Sequence, residues 1–360
     1  METRWSQLID GLCAALVGVA LLLALATAAG AQEPEAELSM SEECRSLRAN
    51  PDADLGEVLK AGCEPTLAQM SALMDNPVGN VAMLFTQIDM FRLTNDDVTG
   101  LDAEYQYNYM GIAQFPKRLN EDWNLINRIV WNVPSTPIDQ SKINRFAPEF
   151  PSFQPPGGGP SQPPSNGSSF LPIDAFSGRT TGFGDMYYVA LFSPTKAIKH
   201  AGGGSTVWGV GFDLSFPTAS KDVLGDGKYS AGPSALYAYL GPKWKLGGLV
   251  QNYFDYAGSD SRDDVRLMNL QYLVYYSLND TTSIGAAPNN IANWEASSDN
   301  RWTVPIGIGI NKTVQFGKVP LRFGLEFHYN VIRPDTVGAD WDLRFYVIPA
   351  VPSALFDWMQ

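Results

Sequence analysis

Residues 321–331, LRFGLEFHYNV, contain the pattern that decides the fold. Every odd position is apolar or aromatic, whereas the even positions are Arg322, Gly324, Glu326, His328 and Asn330. A period of two predicts a β-strand whose two faces meet different environments. In a soluble protein the apolar face would join a core. In a membrane barrel it would meet lipid, and the polar face would line the lumen.

The same alternation recurs along the chain, for example in TVWGVGFDLSF (206–216) and RWTVPIGIGIN (301–311). Most of these segments are as long as the roughly 9–11 residues that a tilted strand needs to cross a bilayer. They predict twelve strands: 79–93, 102–115, 121–134, 180–193, 204–216, 229–240, 243–257, 263–277, 280–293, 301–314, 319–332 and 340–351.

The connections between these strands fall into two alternating classes. Four of them are short (PKRLNE, GP, SLND and QFGK), and those on the other side are mostly longer and polar. The exception is the SPTKAIKHAGGG turn after the fourth strand, and the longest connection is 135–178, rich in Pro, Gly and Ser. Short turns opposite long loops are typical of outer-membrane barrels. The sequence therefore predicts an all-β, antiparallel transmembrane β-barrel of about 12 strands over 78–356, with 135–178 as an extracellular loop. A water-soluble β-sandwich is the alternative.

The N-terminal part predicts export. Residues 1–31 resemble a secretory signal peptide, with an apolar run over 11–26 and Ala29-Gly30-Ala31 as a cleavage site. An uncleaved anchor helix is the alternative. The expected destination is the cell outer membrane of a Gram-negative bacterium.

Residues 32–77 are predicted to form a small periplasmic helical segment, with helices from Ser41, Asp54 and Pro65. In an exported chain, Cys44 and Cys63 are expected to form a disulfide that staples these helices. Two free thiols are the alternative.

Composition limits the partners. The formal net charge of −13 argues against nucleic acid and anionic lipid as main partners. The lipid bilayer and a small-molecule solute are the expected partners, and a periplasmic protein could bind through 41–76.

Few residues suggest catalysis. The chain has only two histidines, and His200 lies in a turn. His328 lies two residues from Glu326 on a polar face, so the pair could be half of a hydrolase triad, but no serine is marked as the third member. We therefore predict no enzyme, no cofactor and no metal site.

A lumen is the remaining candidate site. If the apolar faces meet lipid, the charged residues of the opposite faces line it. These lumen-lining candidates are Glu104, Arg128, Asp185, Asp213, Asp255, Arg266, Arg322, Glu326, His328, Asp342 and Arg344. Mixed charges in a narrow barrel can pair across it or form a constriction.

Several stretches carry a resemblance to a known family. They are LNEDWNLINRIVWNVP (119–134), TGFGDMYYVALFSP (181–194), WGVGFDLSFPTAS (208–220), GKYSAGPSA (227–235), WTVPIGIGINKTVQFGKVPLRFGLEFHY (302–329) and WDLRFYVIPAVP (341–352). The chain resembles the MetA-pathway phenol-degradation proteins, which are outer-membrane barrels labelled "transporter". The resemblance implies a barrel and aromatic or hydrophobic solutes, and it says nothing about the helical N-terminus or the Pro/Gly-rich loop.

The main functional prediction is passive passage of small molecules through an outer-membrane channel. Two alternatives stay open. One is a barrel hydrolase that uses His328 and Glu326, and the other is a structural or docking barrel whose 41–76 segment recruits a periplasmic partner.

Overall fold

The computed structural model describes residues 41–50, 57–58, 61–79, 81–94, 105–141, 176, 178–317, 319–335 and 337–352. The signal-peptide prediction, most of the predicted helix at 54–61, most of the 135–178 loop and the last residues of the chain lie outside these ranges. Two helices come first, α1 (Glu42–Ala49) and α2 (Leu67–Met74). No helix in the described ranges is long and apolar enough to cross a membrane.

Fifteen β-strands follow the helices. Their bounds are β1 (Val81–Thr94), β2 (Tyr105–Arg118), β3 (Trp123–Thr136), β4 (Thr180–Thr181), β5 (Met186–Pro194), β6 (Ile198–Lys199), β7 (Ser205–Phe216), β8 (Lys228–Leu240), β9 (Trp244–Gly258), β10 (Arg266–Asn279), β11 (Thr282–Ala286), β12 (Asn289–Asn293), β13 (Trp302–Phe316), β14 (Val319–Ile332) and β15 (Gly338–Pro352).

These strands close into one antiparallel barrel. Neighbours in sequence pair with each other, β15 pairs with β1, and β9 pairs with β10, so the sheet has no free edge. β11 and β12 together form one crossing between β10 and β13, while β4 and β6 are two-residue extensions. The wall therefore has twelve crossings, and the predicted antiparallel barrel of about 12 strands is confirmed.

The two faces of the wall differ in the way the alternation predicts. In β14, Leu325 and Phe327 are 40% and 43% exposed on the outside, whereas Glu326 and His328 are 1% and 0% exposed inside. In β13, Ile306, Ile308 and Ile310 are exposed on the outer face. An uncovered apolar exterior around a polar interior is the arrangement of a transmembrane β-barrel.

Aromatic pairs mark both ends of the outer surface. Trp123 and Trp208 pack edge to face at one end, and Trp294 and Trp302 do so at the other. Such rings combine an apolar body with a polar edge, which suits the level of the lipid headgroups.

The barrel has two distinct ends. The short-turn end carries both chain termini of the barrel, the turns at 119–122, 195–204, 241–243 and 280–281, and the connection from β13 to β14. The long-loop end carries the other connections. The exceptional turn at 195–204 is long because β6 folds back on the start of β7 as a small hairpin, in which His200 hydrogen-bonds Thr206.

The N-terminal segment is stapled and capped. Cys44 and Cys63 form a disulfide with their Cα atoms 5.6 Å apart, which confirms that prediction. Ser41 caps α1, and Thr66 and Gln69 form a capping box at the start of α2. The Gln69 amide also donates to the carbonyls of Leu47 and Asn50, so α2 is tied to the end of α1.

Candidate functional site

The barrel interior collects most of the predicted lumen residues. Nine of the eleven lie on inward positions of the wall or at its rim: Arg128, Asp185, Asp213, Asp255, Arg322, Glu326, His328, Asp342 and Arg344. Glu104 lies outside the described residues.

Arg266 is a correction. In β10 the odd positions, such as Asn269 and Tyr275, face inward, so the even position 266 faces outward. Its side chain is 57% exposed and pairs with Glu295 at 3.0 Å. At the first residue of a strand, an outward charge reaches water beyond the bilayer, so a polar residue there need not face the lumen.

A buried charge network covers one side of the lumen. His328 lies on β14, and its two ring nitrogens are 2.8 Å from Asp342 and 2.9 Å from Glu326. The Tyr275 hydroxyl donates to the second oxygen of Glu326. The cross-strand glycines make room for these side chains, since a Cβ on Gly307 would lie 2.2 Å from the His328 ring.

A second ion pair extends this network. The Arg344 guanidinium donates to Asp89 across the β1–β15 pair at 2.9 Å, and the Gln87 amide donates to both oxygens of Asp89. Arg344 and Asp89 are both buried, so the network fixes the charged interior by charge-assisted hydrogen bonds.

The backbone break between β11 and β12 belongs to this network. Pro288 has no N–H with which to continue the hydrogen bonds between strands. The backbone N–H and carbonyl of the neighbouring Ala287 instead form hydrogen bonds with side chains in the lumen. Its N–H donates to Glu326 at 3.1 Å, and its carbonyl accepts from Arg344 at 2.9 Å. The sequence predicted one unbroken strand here, and the available signal was the Ala-Pro step inside 280–293.

His328 is not placed as a general base. A neutral imidazole donates from only one nitrogen, so a ring with a carboxylate at each nitrogen is held best as the imidazolium. Neither nitrogen is left to activate a serine. Within the described ranges, no group of three metal-ligating side chains could hold a metal ion.

An apolar cluster lines another part of the lumen. Its buried members are Met110, Ile112, Val130, Tyr187 and Tyr253. The rings of Tyr187 and Tyr253 meet edge to face with centroids 5.5 Å apart. The alternating pattern predicted only charged residues for the lumen, so this apolar surface was not predicted from the sequence.

The short-turn end of the lumen is occupied by residues 67–79, which we call the plug. Met70 and Met74 of α2 pack against the wall residues Met83 and Ile348. Farther along, Val78 joins a cluster of inward side chains from β3 to β9. The helical segment was predicted to lie in the periplasm, and the structure instead places its last part between the barrel walls.

Polar contacts hold the plug in place. The Asp75 carboxylate lies 2.6 Å from the Lys245 ammonium and 2.7 Å from the Arg322 guanidinium. Arg322 also donates to the carbonyl and the hydroxyl of Ser71, whose hydroxyl lies 3.1 Å from that of Thr313. All these wall residues are inward positions of β9, β13 and β14.

The long-loop end is covered by the β7–β8 connection. Val223 and Leu224 join a buried cluster with Phe91, Leu93, Ile138, Phe176, Val337 and Ala339. Asp185 holds both ends of this connection, which we call the cover. Its carboxylate accepts hydrogen bonds from the Ala219 and Asp226 N–H groups at 3.0 and 2.7 Å. Burial and the Asp185 carboxylate raise the pKa of Asp226 to about 7, although Arg262 opposes the shift.

Comparisons with known proteins give structural similarities at low identity. No protein-family model matches the chain, and no curated protein matches its sequence, so the MetA-pathway resemblance is not confirmed and stays a prediction. An outer membrane channel from Pseudomonas putida F1 is 16% identical with a TM-score of 0.49, over 75% of this chain and 94% of the other.

Two further solved structures are similar. Outer membrane phospholipase A from Escherichia coli is 10% identical with a TM-score of 0.38, over 80% of this chain and 97% of the other. A Pseudomonas aeruginosa FadL homologue is 10% identical with a TM-score of 0.29, over 78% and 94%. Similarity at this level says nothing about what the present chain transports or catalyses.

Proposed function

We propose that this protein is an outer-membrane channel through which small molecules cross passively, and that the plug controls the passage. The observation that carries the proposal is that the short-turn end is filled by a segment outside the barrel wall. A barrel whose interior were only a packed core would need no such separate element. A conduit that is open for only part of the time does need one.

The contacts of the plug suit a movable element. Asp75, Ser71 and the Pro77 carbonyl bind the wall through polar groups, the last by accepting from the Gln114 amide at 3.1 Å. Water can replace each of these partners when the plug moves, because the desolvation cost of a buried ion pair is recovered when both partners are rehydrated together, and a single hydrogen bond contributes only about 0.5–1.5 kcal/mol net. The backbone hydrogen bonds between the wall strands are continuous around the barrel, so water cannot replace them in the same way.

The proposed solutes are small and partly apolar. Twelve crossings give an interior between those of packed eight-stranded barrels and wide sixteen-stranded porins. The cluster around Tyr187 and Tyr253 offers apolar and aromatic contacts inside the wall. This lining supports the aromatic or hydrophobic class that the sequence resemblance implies.

The proposed location follows from the surface. The apolar exterior with aromatic residues at both ends fits a bilayer, and the Cys44–Cys63 disulfide fits an oxidising compartment such as the periplasm. With both chain ends of the barrel at the short-turn end, we place that end and α1 on the periplasmic side.

Flux through pure protein tests the function and separates it from hydrolysis. The full chain is reconstituted into liposomes, and entry of radiolabelled benzyl alcohol, glycerol and a disaccharide is compared with that into protein-free liposomes. The proposal expects faster entry of the small solutes to equal concentrations, with the solute recovered intact. Entry no faster than into protein-free liposomes would refute a channel, and ester hydrolysis abolished by His328→Ala would instead support the hydrolase.

A further inference from the structure

One lumen arginine differs from the others. Arg322 and Arg344 are both paired with carboxylates, at 2.7 and 2.9 Å. Arg128 is also on an inward position, but its buried Nε has no hydrogen-bond partner, and no ion pair of the described residues includes it. Its electrostatic neighbours are Tyr253 and Asp213. A buried N–H without an acceptor is costly, so the Nε–H of the half-buried Arg128 calls for an acceptor from elsewhere.

Asp213 is the matching acceptor, with one carboxylate oxygen that lacks a donor. It is 0% exposed, its Oδ1 accepts a long 3.4 Å bond from Gln251, and its Oδ2 has no partner within hydrogen-bond distance. The Ser234 hydroxyl and the Asn252 N–H stabilise the carboxylate from nearby without completing its hydrogen bonds. The strand registers place the two groups at one level, because Arg128 lies opposite Val189, and Val189 lies opposite Asp213. Two strand spacings of about 4.8 Å separate their backbones, so the two side chains face each other across β5.

An apolar wall lies directly above this level. Ile112, Val130 and Tyr187 are opposite one another on β2, β3 and β5, one inward position nearer the long-loop end than Arg128. The Tyr187 ring meets that of Tyr253, with Met110 in the same cluster. The polar pair thus borders a surface suited to a flat or aliphatic body.

From these observations we propose that Arg128, Asp213, Tyr187 and Tyr253 form a binding site for a neutral amphipathic molecule with one hydroxyl or amide head group. The head group accepts from Arg128 and donates to Asp213, and the apolar body lies against the tyrosine rings. The site rests on the proposed function, because its ligand is a solute in passage.

The charges of the site select among ligands. The two charges oppose each other, so a carboxylate is repelled by Asp213 and an ammonium by Arg128. A purely apolar molecule leaves the Arg128 Nε and the Asp213 Oδ2 without partners, and a site with unpaired polar groups discriminates strongly against such a ligand. A hydroxyl or an amide satisfies both groups at once because it is a donor and an acceptor.

The test uses the full chain, refolded in detergent with ¹⁵N-labelled arginine, and follows the Arg128 Nε–H resonance by NMR. The resonance is assigned from its loss in Arg128→Lys. Benzyl alcohol is the probe, and toluene, benzoate and benzylamine are the comparators of similar size. We expect benzyl alcohol to shift the resonance saturably. Each comparator should bind wild type at least tenfold more weakly, and Asp213→Asn should bind benzyl alcohol at least tenfold more weakly than wild type does.

The controls separate binding from partition into detergent. Arg266 on the outer face is the matched arginine, and its resonance should not shift. An unchanged Arg128 resonance, or equal shifts with toluene, would overturn the site and leave water as the partner of both groups. If Asp213→Asn does not fold, the wild-type comparison of the four probes still decides. Binding without liposome flux would refute the channel but not the site, and flux without binding would do the reverse.

Discussion

Replacing Asp75 by Asn tests the hold of the plug most simply. The Asp75 carboxylate faces two cations, Lys245 at 2.6 Å and Arg322 at 2.7 Å, and all three side chains are at most 16% exposed. The substitution keeps the shape of the side chain but removes the charge between two cations. Breaking a buried pair from one side costs about 3–5 kcal/mol.

The lower end of that range applies here. After the substitution Arg322 keeps Ser71 and Thr313 as partners, so it is not left bare. A loss of about 3 kcal/mol from the plugged state alone corresponds to about a 100-fold rise in the ratio of unplugged to plugged protein. Planar-bilayer recording measures this ratio as open probability.

Asp122 provides the matched control. It is exposed in a turn at the same end of the barrel, and no ion pair among the described residues includes it. We expect Asp122→Asn to have the open probability of wild type, and Asp75→Asn to have a higher one. Equal open probability in Asp75→Asn and wild type, with the barrel folded in both, would refute the role of the ion pairs in holding the plug.

Three further predictions concern the wall and the cover. Leu325→Lys should block membrane assembly, because a lysine facing lipid near the bilayer centre costs about 2–4 kcal/mol. Gly307→Ala should lower the unfolding temperature by displacing the His328 ring, at a cost of about 1–3 kcal/mol. The pKa of Asp226 is about 7 in the folded cover against an ordinary 3.8, so the folded cover holds the proton more tightly than the unfolded one. The stability of the 217–227 cover should therefore fall as pH rises from about 4 to 7. Amide exchange in the cover, corrected for the intrinsic effect of pH, should become faster over that range.

Each of these has its control. Leu119→Lys changes an exposed leucine in a short turn and should assemble normally. Gly202→Ala adds a methyl group where nothing lies within 4 Å, so its unfolding temperature should match wild type. Asp226→Asn should reduce the pH dependence of exchange to the part that Asp185 contributes, since burial raises the pKa of that carboxyl as well. Normal assembly of Leu325→Lys, an unchanged unfolding temperature for Gly307→Ala, or a cover equally stable at pH 4 and 7 would contradict the respective argument.

The strands and their faces were predictable because the period of two is a local signal. In LRFGLEFHYNV the inward positions of Arg322, Glu326 and His328 follow directly from the alternation once the barrel is chosen. The disulfide was predictable as well, since the mature chain would contain only two cysteines. The alternation is not informative at the end of a strand. A charged residue such as Arg266 can face either way there, because water is present on both sides of the barrel rim.

The contents of the lumen were not predictable from local patterns. Asp75 and Arg322 are 247 residues apart, and nothing in either stretch announces the contact. α2 is apolar enough for a small helical bundle as well as for a barrel interior. The apolar lining was not predicted for a related reason. Both faces of β2 are partly apolar around Met110 and Ile112, so the alternation does not distinguish the inward face from the outward face.

A reversible cross-link across the plug tests the central claim most directly. In Ser71→Cys/Thr313→Cys the thiols replace hydroxyls that lie 3.1 Å apart, so a disulfide would fix α2 to β13. Solute flux into liposomes is measured before and after dithiothreitol, with wild type treated in the same way to account for Cys44–Cys63. A channel controlled by the plug predicts no flux in the oxidised variant and wild-type flux after reduction. Equal flux before and after reduction, with the cross-link verified by mass spectrometry, would contradict it.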